Sequence, residues 1–117
     1  MIVGLGLDML EVARMERPLT SEHFKQRVFT EYERGYVERR SAQTAAGIFC
    51  AKEAFTKAAG DGLRIPLHDV EVRHGERGEP MIVLHGATAE RFSDCRVLVS
   101  ITHTASNAAA VVTIERG

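Results

Sequence analysis

The sequence predicts an α+β domain in which an antiparallel sheet packs against one long buried helix, and three observations carry that expectation. Residues 2 to 8 alternate in the period-2 manner of a strand, the stretch from a break near Ser41 to about Ala59 is apolar nearly all round at helical spacing, and from Asp69 the chain turns to paired β segments. The order β, α, α, α, ββ, α, ββ ends in two hairpins, which implies antiparallel pairing.

In the first strand Val3, Leu5 and Leu7 fall on one side and Ile2, Gly4, Gly6 and Asp8 on the other. Asp8 is therefore expected to end the strand on the side its two glycines leave open. Those glycines fit close approach of a helix or another backbone. "GLGLDM" lacks the third glycine and the following helix cap of a dinucleotide-binding loop. "EVARMER" follows and Pro18 breaks it; "TSEHFKQRVF" predicts a short helix with Ser or Thr at its cap. "TEYE" is a capping box, Thr30 with Glu33 three residues on, opening a helix from about Glu31 to Arg40. The long helix is closed by "GDG", whose glycines suit a C-cap and turn. "DVEVRH" and "PMIVLHG" flank the loop "GERGE"; "ATAERF" predicts a short helix; "RVLVSITH" and "AAAVVTIE" form the second hairpin across "TASN". No repeat, linker or low-complexity tract interrupts residues 1–117, so a single domain is expected.

A chain of 117 residues buries only about 60–70% of its unfolded surface, which makes oligomerisation a natural way to gain burial. A formal net charge of -1 supplies no global field for nucleic acid or a membrane surface, and neither is expected as a partner. The apolar N-terminus has no basic flank and is interrupted by Asp8, and no apolar run approaches the ~18 residues of a membrane span. A soluble, cytoplasmic protein is expected. Cys50 and Cys95 lack CxxC spacing and fit free thiols in a reducing compartment. The five histidines show no zinc spacing. A hydrolase triad of Ser100, His103 and Asp8 fails because no GxSxG elbow exists and residues three apart in a strand point to opposite faces.

Two acids remain in unusual places, Asp8 at an open strand end and Glu53 beside Ala46, Phe49 and Cys50 on the apolar helix. A carboxylate so placed is costly unless it is paired, hydrogen-bonded or bound to a cation. Glu53 and Lys57 stand at i and i+4, a surface pair contributing roughly 0.2–0.5 kcal/mol. Alternatively, Asp8 and Glu53 converge on Mg²⁺, which takes one or two protein carboxylates and completes its shell with water and phosphate oxygens, and Lys57 faces the same phosphates. The residues alone leave both readings open.

At these positions the chain resembles the holo-acyl-carrier-protein synthases, the short type of 4′-phosphopantetheinyl transferase. The resemblance runs from "GLGLDMLEVARM" through "FTEYE" and "AGIFCAKEAFTKA" to "GDG", "DVEV", "GEP" and "VSITHT", essentially the whole chain. It implies the transferase fold, assembled as a trimer, and Mg²⁺-dependent transfer of 4′-phosphopantetheine from coenzyme A to a serine of apo acyl carrier protein, leaving adenosine 3′,5′-bisphosphate. By position it implies Asp8 and Glu53 as metal ligands, Lys57 on the phosphates, His103 at the coenzyme A phosphates, and Arg39 and Arg40 toward the nucleotide 3′-phosphate. It also implies active sites at subunit interfaces, Asp8 from one chain meeting Glu53 of its neighbour. Ile48 departs from the family, many members of which carry arginine there. Acidic carrier protein is expected on a basic strip of Arg14, Arg17, Lys25 and Arg27. A non-catalytic coenzyme A or carrier-protein binding module and a structural oligomerisation domain are the competing readings; intact Asp8, Glu53 and Lys57 weigh against the first, and the two acids stay unexplained under the second.

Overall fold

In a computed structural model describing residues 1–60 and 64–117, one strand leads into three helices before the remaining strands appear. The elements are β1 (Ile2–Glu11), α1 (Glu22–Val28), α2 (Glu31–Glu38), α3 (Ala42–Ala59), β2 (Val70–His74), β3 (Pro80–Leu84), α4 (Gly86–Arg91), β4 (Cys95–His103) and β5 (Asn107–Arg116). Short 3₁₀ turns at Val12–Met15, Pro18–Thr20 and Leu67–Asp69 join them. The backbone forms two antiparallel sheets: a three-stranded one in the order β1-β5-β4, and the β2-β3 hairpin on its own.

Helix α3 lies directly on the larger sheet because β1 turns glycine toward it. A methyl group on Gly4 would overlap the Ala58 carbonyl oxygen, and one on Gly6 that of Ala54. The close approach expected from the two glycines is present, and alanines on the facing side of α3 make room for it. On the neighbouring strand Ala108, Ala110, Val112 and Ile114 alternate inward and are all buried, joining Ala51, Ala54 and Phe55 of α3 in the main core. Phe92 closes that core edge-on to Phe55, ring centroids 5.4 Å apart, a favoured aromatic geometry.

The local signals hold with small shifts. Ser21 caps α1 by accepting the Phe24 N–H at 3.1 Å, and Thr30 and Glu33 form the reciprocal capping box of α2. Gly60 ends α3 in the left-handed region, φ 83°; Asp61 and Gly62 of the "GDG" turn lie outside the described residues. Two expectations are corrected. Strand β1 runs on to Glu11, so Asp8 does not end it but pairs with Ala110 inside the ladder; β5 is long enough to carry the pairing past the acid. Helix α2 stops at Glu38, leaving Arg39 as its C-cap and Arg40 beyond it. Cys50 and Cys95 are free thiols, as expected.

The fully buried charge on α3 is Lys52, not Glu53. Lys52 Nζ lies 2.7 Å from Glu33 Oε1, both side chains being 0% exposed, and it donates to the carbonyls of Leu67 at 2.9 Å and Val70 at 2.7 Å. All three ammonium protons therefore have acceptors. Glu33 in turn accepts the backbone N–H of Thr30 at 2.9 Å and of Val72 at 2.6 Å. Burial pulls the Lys52 pKa down, and the Glu33 charge opposes it. The pair ties α2, α3 and β2 together.

Candidate active site

Asp8 reaches the flank of α3 because it follows Gly4 and Gly6 on the helix-facing side of an edge strand. The Lys57 ammonium meets it there, 3.2 Å from Asp8 Oδ1 and 2.9 Å from the Leu7 carbonyl. Glu53, one turn before Lys57, is half-buried, and burial first and the Asp8 charge second push its carboxyl above the usual range, with Lys57 pulling the other way. The same surroundings act on Cys50, whose thiol burial and the neighbouring Asp8 carboxylate push up to about 12. Cys50 stays a thiol and donates to the Ala108 carbonyl at 3.6 Å.

One chain thus assembles two carboxylates and an ammonium from β1 and α3, and the charges do not cancel. Lys57 serves Asp8, so the i, i+4 pairing with Glu53 is not the contact it makes. The expectation that Asp8 meets Glu53 of a neighbouring chain is also corrected, because both acids stand within electrostatic reach in a single chain. Beside Glu53 and Lys57 opens a cleft of about 410 Å³, walled by Val28, Ile65, Pro66 and Leu67 with Arg27 at its edge.

His103 stands elsewhere. Asp8 and His103 both lie on the helix-facing side of the sheet, two strands apart, with α3 between them: Asp8 pairs with Ala110, and Ala110 with Ile101. His103 and Ile101 line a narrow crevice of about 200 Å³ with Tyr36, Ile48 and His74. An adjoining crevice shares Tyr36 and His74 and adds Arg39 and Arg40. Arg40 covers the Tyr36 ring, its guanidinium carbon 3.6 Å from the centroid, and donates to the Tyr36 carbonyl at 3.3 Å. Ile48 is 1% exposed and gives the narrow crevice an apolar wall. The structure therefore brings Asp8, Glu53 and Lys57 together, brings His103, Arg39 and Arg40 to neighbouring crevices, and keeps the two groups on opposite flanks of α3.

Sequence reasoning missed Tyr36 and His74 in the second group and Lys52 in the core. Tyr32 and Tyr36 at i and i+4 were the available signal, since such spacing stacks aromatic rings on one helix face; the rings lie 6.3 Å apart.

Residues 4–112 match the model of a protein family, the 4′-phosphopantetheinyl transferase superfamily. The chain belongs to this superfamily. Among similar transferases, a holo-[acyl-carrier-protein] synthase of Geobacillus sp. is 37% identical over 99% of this chain and 98% of its own length. One of Shouchella clausii is 41% identical over 98% of this chain and 99% of its own. Among solved structures, a holo-(acyl-carrier-protein) synthase from Bacillus anthracis in complex with CoA (3′,5′-ADP) superposes with a TM-score of 0.86 at 34% identity, covering 100% of this chain and 99% of that one. Among the described residues no helix is long and apolar enough to cross a membrane.

Proposed function

We propose that this chain transfers 4′-phosphopantetheine from coenzyme A to a serine hydroxyl of apo acyl carrier protein, releasing adenosine 3′,5′-bisphosphate. The observation that carries the reading is the meeting of Asp8, Glu53 and Lys57 at one open flank of α3 in a member of the transferase superfamily. In the reaction the serine oxygen forms a bond to the phosphorus that carries pantetheine, and the bond from that phosphorus to the bridging oxygen of the nucleotide breaks. Such transfers depend on positioning and on charge placed against the phosphates.

The donor set fits Mg²⁺. Two carboxylates are the number this ion commonly takes from protein, and the like charges of Asp8 and Glu53, already in conflict across the site, are what a divalent cation relieves. Asp8 and Glu53 would hold the cation, which would supply positive charge against the phosphates of coenzyme A. Lys57 adds a fixed positive charge beside them. The apolar walls of the adjacent cleft, Val28, Ile65 and Leu67, suit the pantetheine arm.

The nucleotide end needs His103, Arg39 and Arg40, which sit across α3 from the acids. A trimer reconciles the two, each active site joining the acid flank of one chain to the His103 side of its neighbour. The face of the sheet turned away from α3 supports self-association: Val3, Leu5, Leu7, Met9, Leu98 and Val111 are 37–69% exposed, an apolar patch of the kind that marks interaction sites. Acidic carrier protein would meet the strip of Arg14, Arg17, Lys25 and Arg27. Arg14 and Lys25 are already engaged with Glu11 at 3.7 Å and Glu22 at 2.9 Å, so Arg17 and Arg27 are the stronger candidates. Cytoplasmic carrier-protein modification fits the free thiols.

The test is intact-protein mass spectrometry of apo acyl carrier protein incubated with this chain, coenzyme A and Mg²⁺. The expected result is a gain of one phosphopantetheine, abolished by EDTA. Coenzyme A binding with no mass gain would instead favour a binding module on the same scaffold.

A further inference from the structure

His74 closes β2 at the boundary of the two crevices, lining the narrow one with His103 and the wider one with Arg39 and Arg40. Its position is held: the backbone N–H donates to the Tyr32 hydroxyl at 3.2 Å, and the ring stands edge-on to Tyr36, centroids 3.9 Å apart. Its chemistry is not used. Among the described residues Nδ1 is buried and has no hydrogen-bond partner, which is uncommon for a polar atom in a native fold. With no acceptor at Nδ1, the proton belongs on Nε2, and the imidazole keeps one donor to offer. The surroundings select what accepts it. Arg40 covers the same Tyr36 ring, Arg39 and His103 line the adjoining walls, and the exposed Glu76 is the acid among the lining residues of the wider crevice. Cations and a neutral donor converging on one boundary suit a phosphate.

We propose that His74 is a ligand-contacting residue of the coenzyme A site, donating to the nucleotide 3′-phosphate in concert with Arg40. The inference rests on the transferase reading above. Burial first and Arg40 second hold the His74 pKa below the ordinary histidine value, so at neutral pH the ring acts through a hydrogen bond rather than as a further full charge. Because Ile48 lines this crevice with an apolar side chain, His74 supplies polar contact that position 48 does not. Tyr36 serves as the positioning residue, fixing both the imidazole edge and the guanidinium face.

The experiment is calorimetric titration of coenzyme A and of 3′-dephospho-coenzyme A into the parent chain, His74→Ala and His74→Gln, each with Mg²⁺ and each checked for an unchanged thermal transition. A hydrogen bond to a charged group is worth a factor of about ten or more in affinity. His74→Ala is expected to weaken coenzyme A by about tenfold and to leave 3′-dephospho-coenzyme A within about twofold of the parent, while His74→Gln, which keeps a donor, recovers part of the loss. Equal weakening of both nucleotides, or unaltered coenzyme A affinity in His74→Ala, overturns the proposal. A parent that binds both nucleotides equally also overturns it and leaves the transferase reading standing, whereas a parent that binds neither removes both.

Discussion

Helix α3 carries two acid–lysine groups one residue out of step, and they are built on opposite plans. Lys52 points into the protein, where Glu33 and two carbonyls use every ammonium proton, and nothing is left over for a ligand. Glu53 points to the flank, where its carboxylate and that of Asp8 lie near one ammonium, which is 55% exposed, pairs with Asp8 and spends a further bond on the Leu7 carbonyl. The closed group is satisfied and costs nothing further to keep. The open group carries an excess negative charge that only something from outside can balance. The comparison teaches that burial alone does not mark a functional charge; an unbalanced partner count does.

The sharpest way to break this contrast is to remove one partner from each group and measure stability. Lys52→Met strands the Glu33 carboxylate in the core and is expected to destabilise the fold by about 3–5 kcal/mol, read from denaturant midpoints. Glu53→Gln removes a carboxylate held unfavourably beside Asp8 and is expected to leave the midpoint unchanged or raise it. A comparable loss in both variants would erase the distinction.

Acid titration separates the groups by sign. Glu71, buried beside the closed group, has its carboxyl brought to about 2 because hydrogen bonds from Thr30, Arg73 and His85 outweigh the opposing effect of burial. A depressed folded pKa gives stability that is present above the unfolded value of about 4.5 and lost as pH falls toward 2, at most about 3 kcal/mol for this shift. Glu53 shifts the other way, so without metal it makes the folded chain gain stability as its carboxyl takes up a proton. Urea midpoints at pH 5 and pH 2.5 are expected to fall further in the parent than in Glu71→Gln. Equal falls would mean that Glu71 is not held as described.

Activity inverts the ranking of the two groups. Asp8→Asn and Glu53→Gln are each expected to fold and to lose carrier-protein modification by about a hundredfold, near 2.7 kcal/mol of barrier, because under the proposed function either change removes a negative charge from the metal site. Retention of a rate within about twofold, ~0.4 kcal/mol, by a variant that binds less Mg²⁺ would remove that residue from the metal site.

The fold and the open group were legible in the sequence for different reasons. Gly4 and Gly6 alternate with apolar residues, and Thr30–Glu33 is a motif whose spacing is its geometry, so the strand, the helix start and the close helix contact could all be read locally. Asp8, Glu53 and Lys57 were found as polar residues breaking apolar patterns. Lys52 broke the same pattern, but its partner lies nineteen positions upstream and its two carbonyls at Leu67 and Val70, contacts that only the folded backbone creates. The end of β1 was misplaced because pairing with β5, at the far end of the chain, decides it. Tyr36 gave no signal stronger than aromatic spacing on α2, and His74 at the end of β2 gave none.

The smallest expected effects belong to the charges that are neither closed nor central. Lys57 tests the inner edge of that class: if it stabilises charge developing on the phosphates, Lys57→Ala lowers kcat by more than it raises the dissociation constant of coenzyme A, a split that a plain surface pair with Asp8 would not produce. Arg17 and Arg27 test the outer edge. Arg27 lines the cleft beside Glu53 and Arg17 precedes the Pro18–Thr20 turn, neither with an acid partner among the contacts of the described residues, and exposed charges act mainly on encounter, screened over about 8–10 Å in ordinary salt. Reversing both to Glu is expected to raise the apparent KM for carrier protein several-fold at low ionic strength, to leave coenzyme A affinity as it was, and to lose most of its effect in 0.5 M salt. If coenzyme A affinity falls in parallel, Arg27 belongs to the open group at Glu53 and not to the docking strip, and the boundary drawn between site and surface moves outward by one residue.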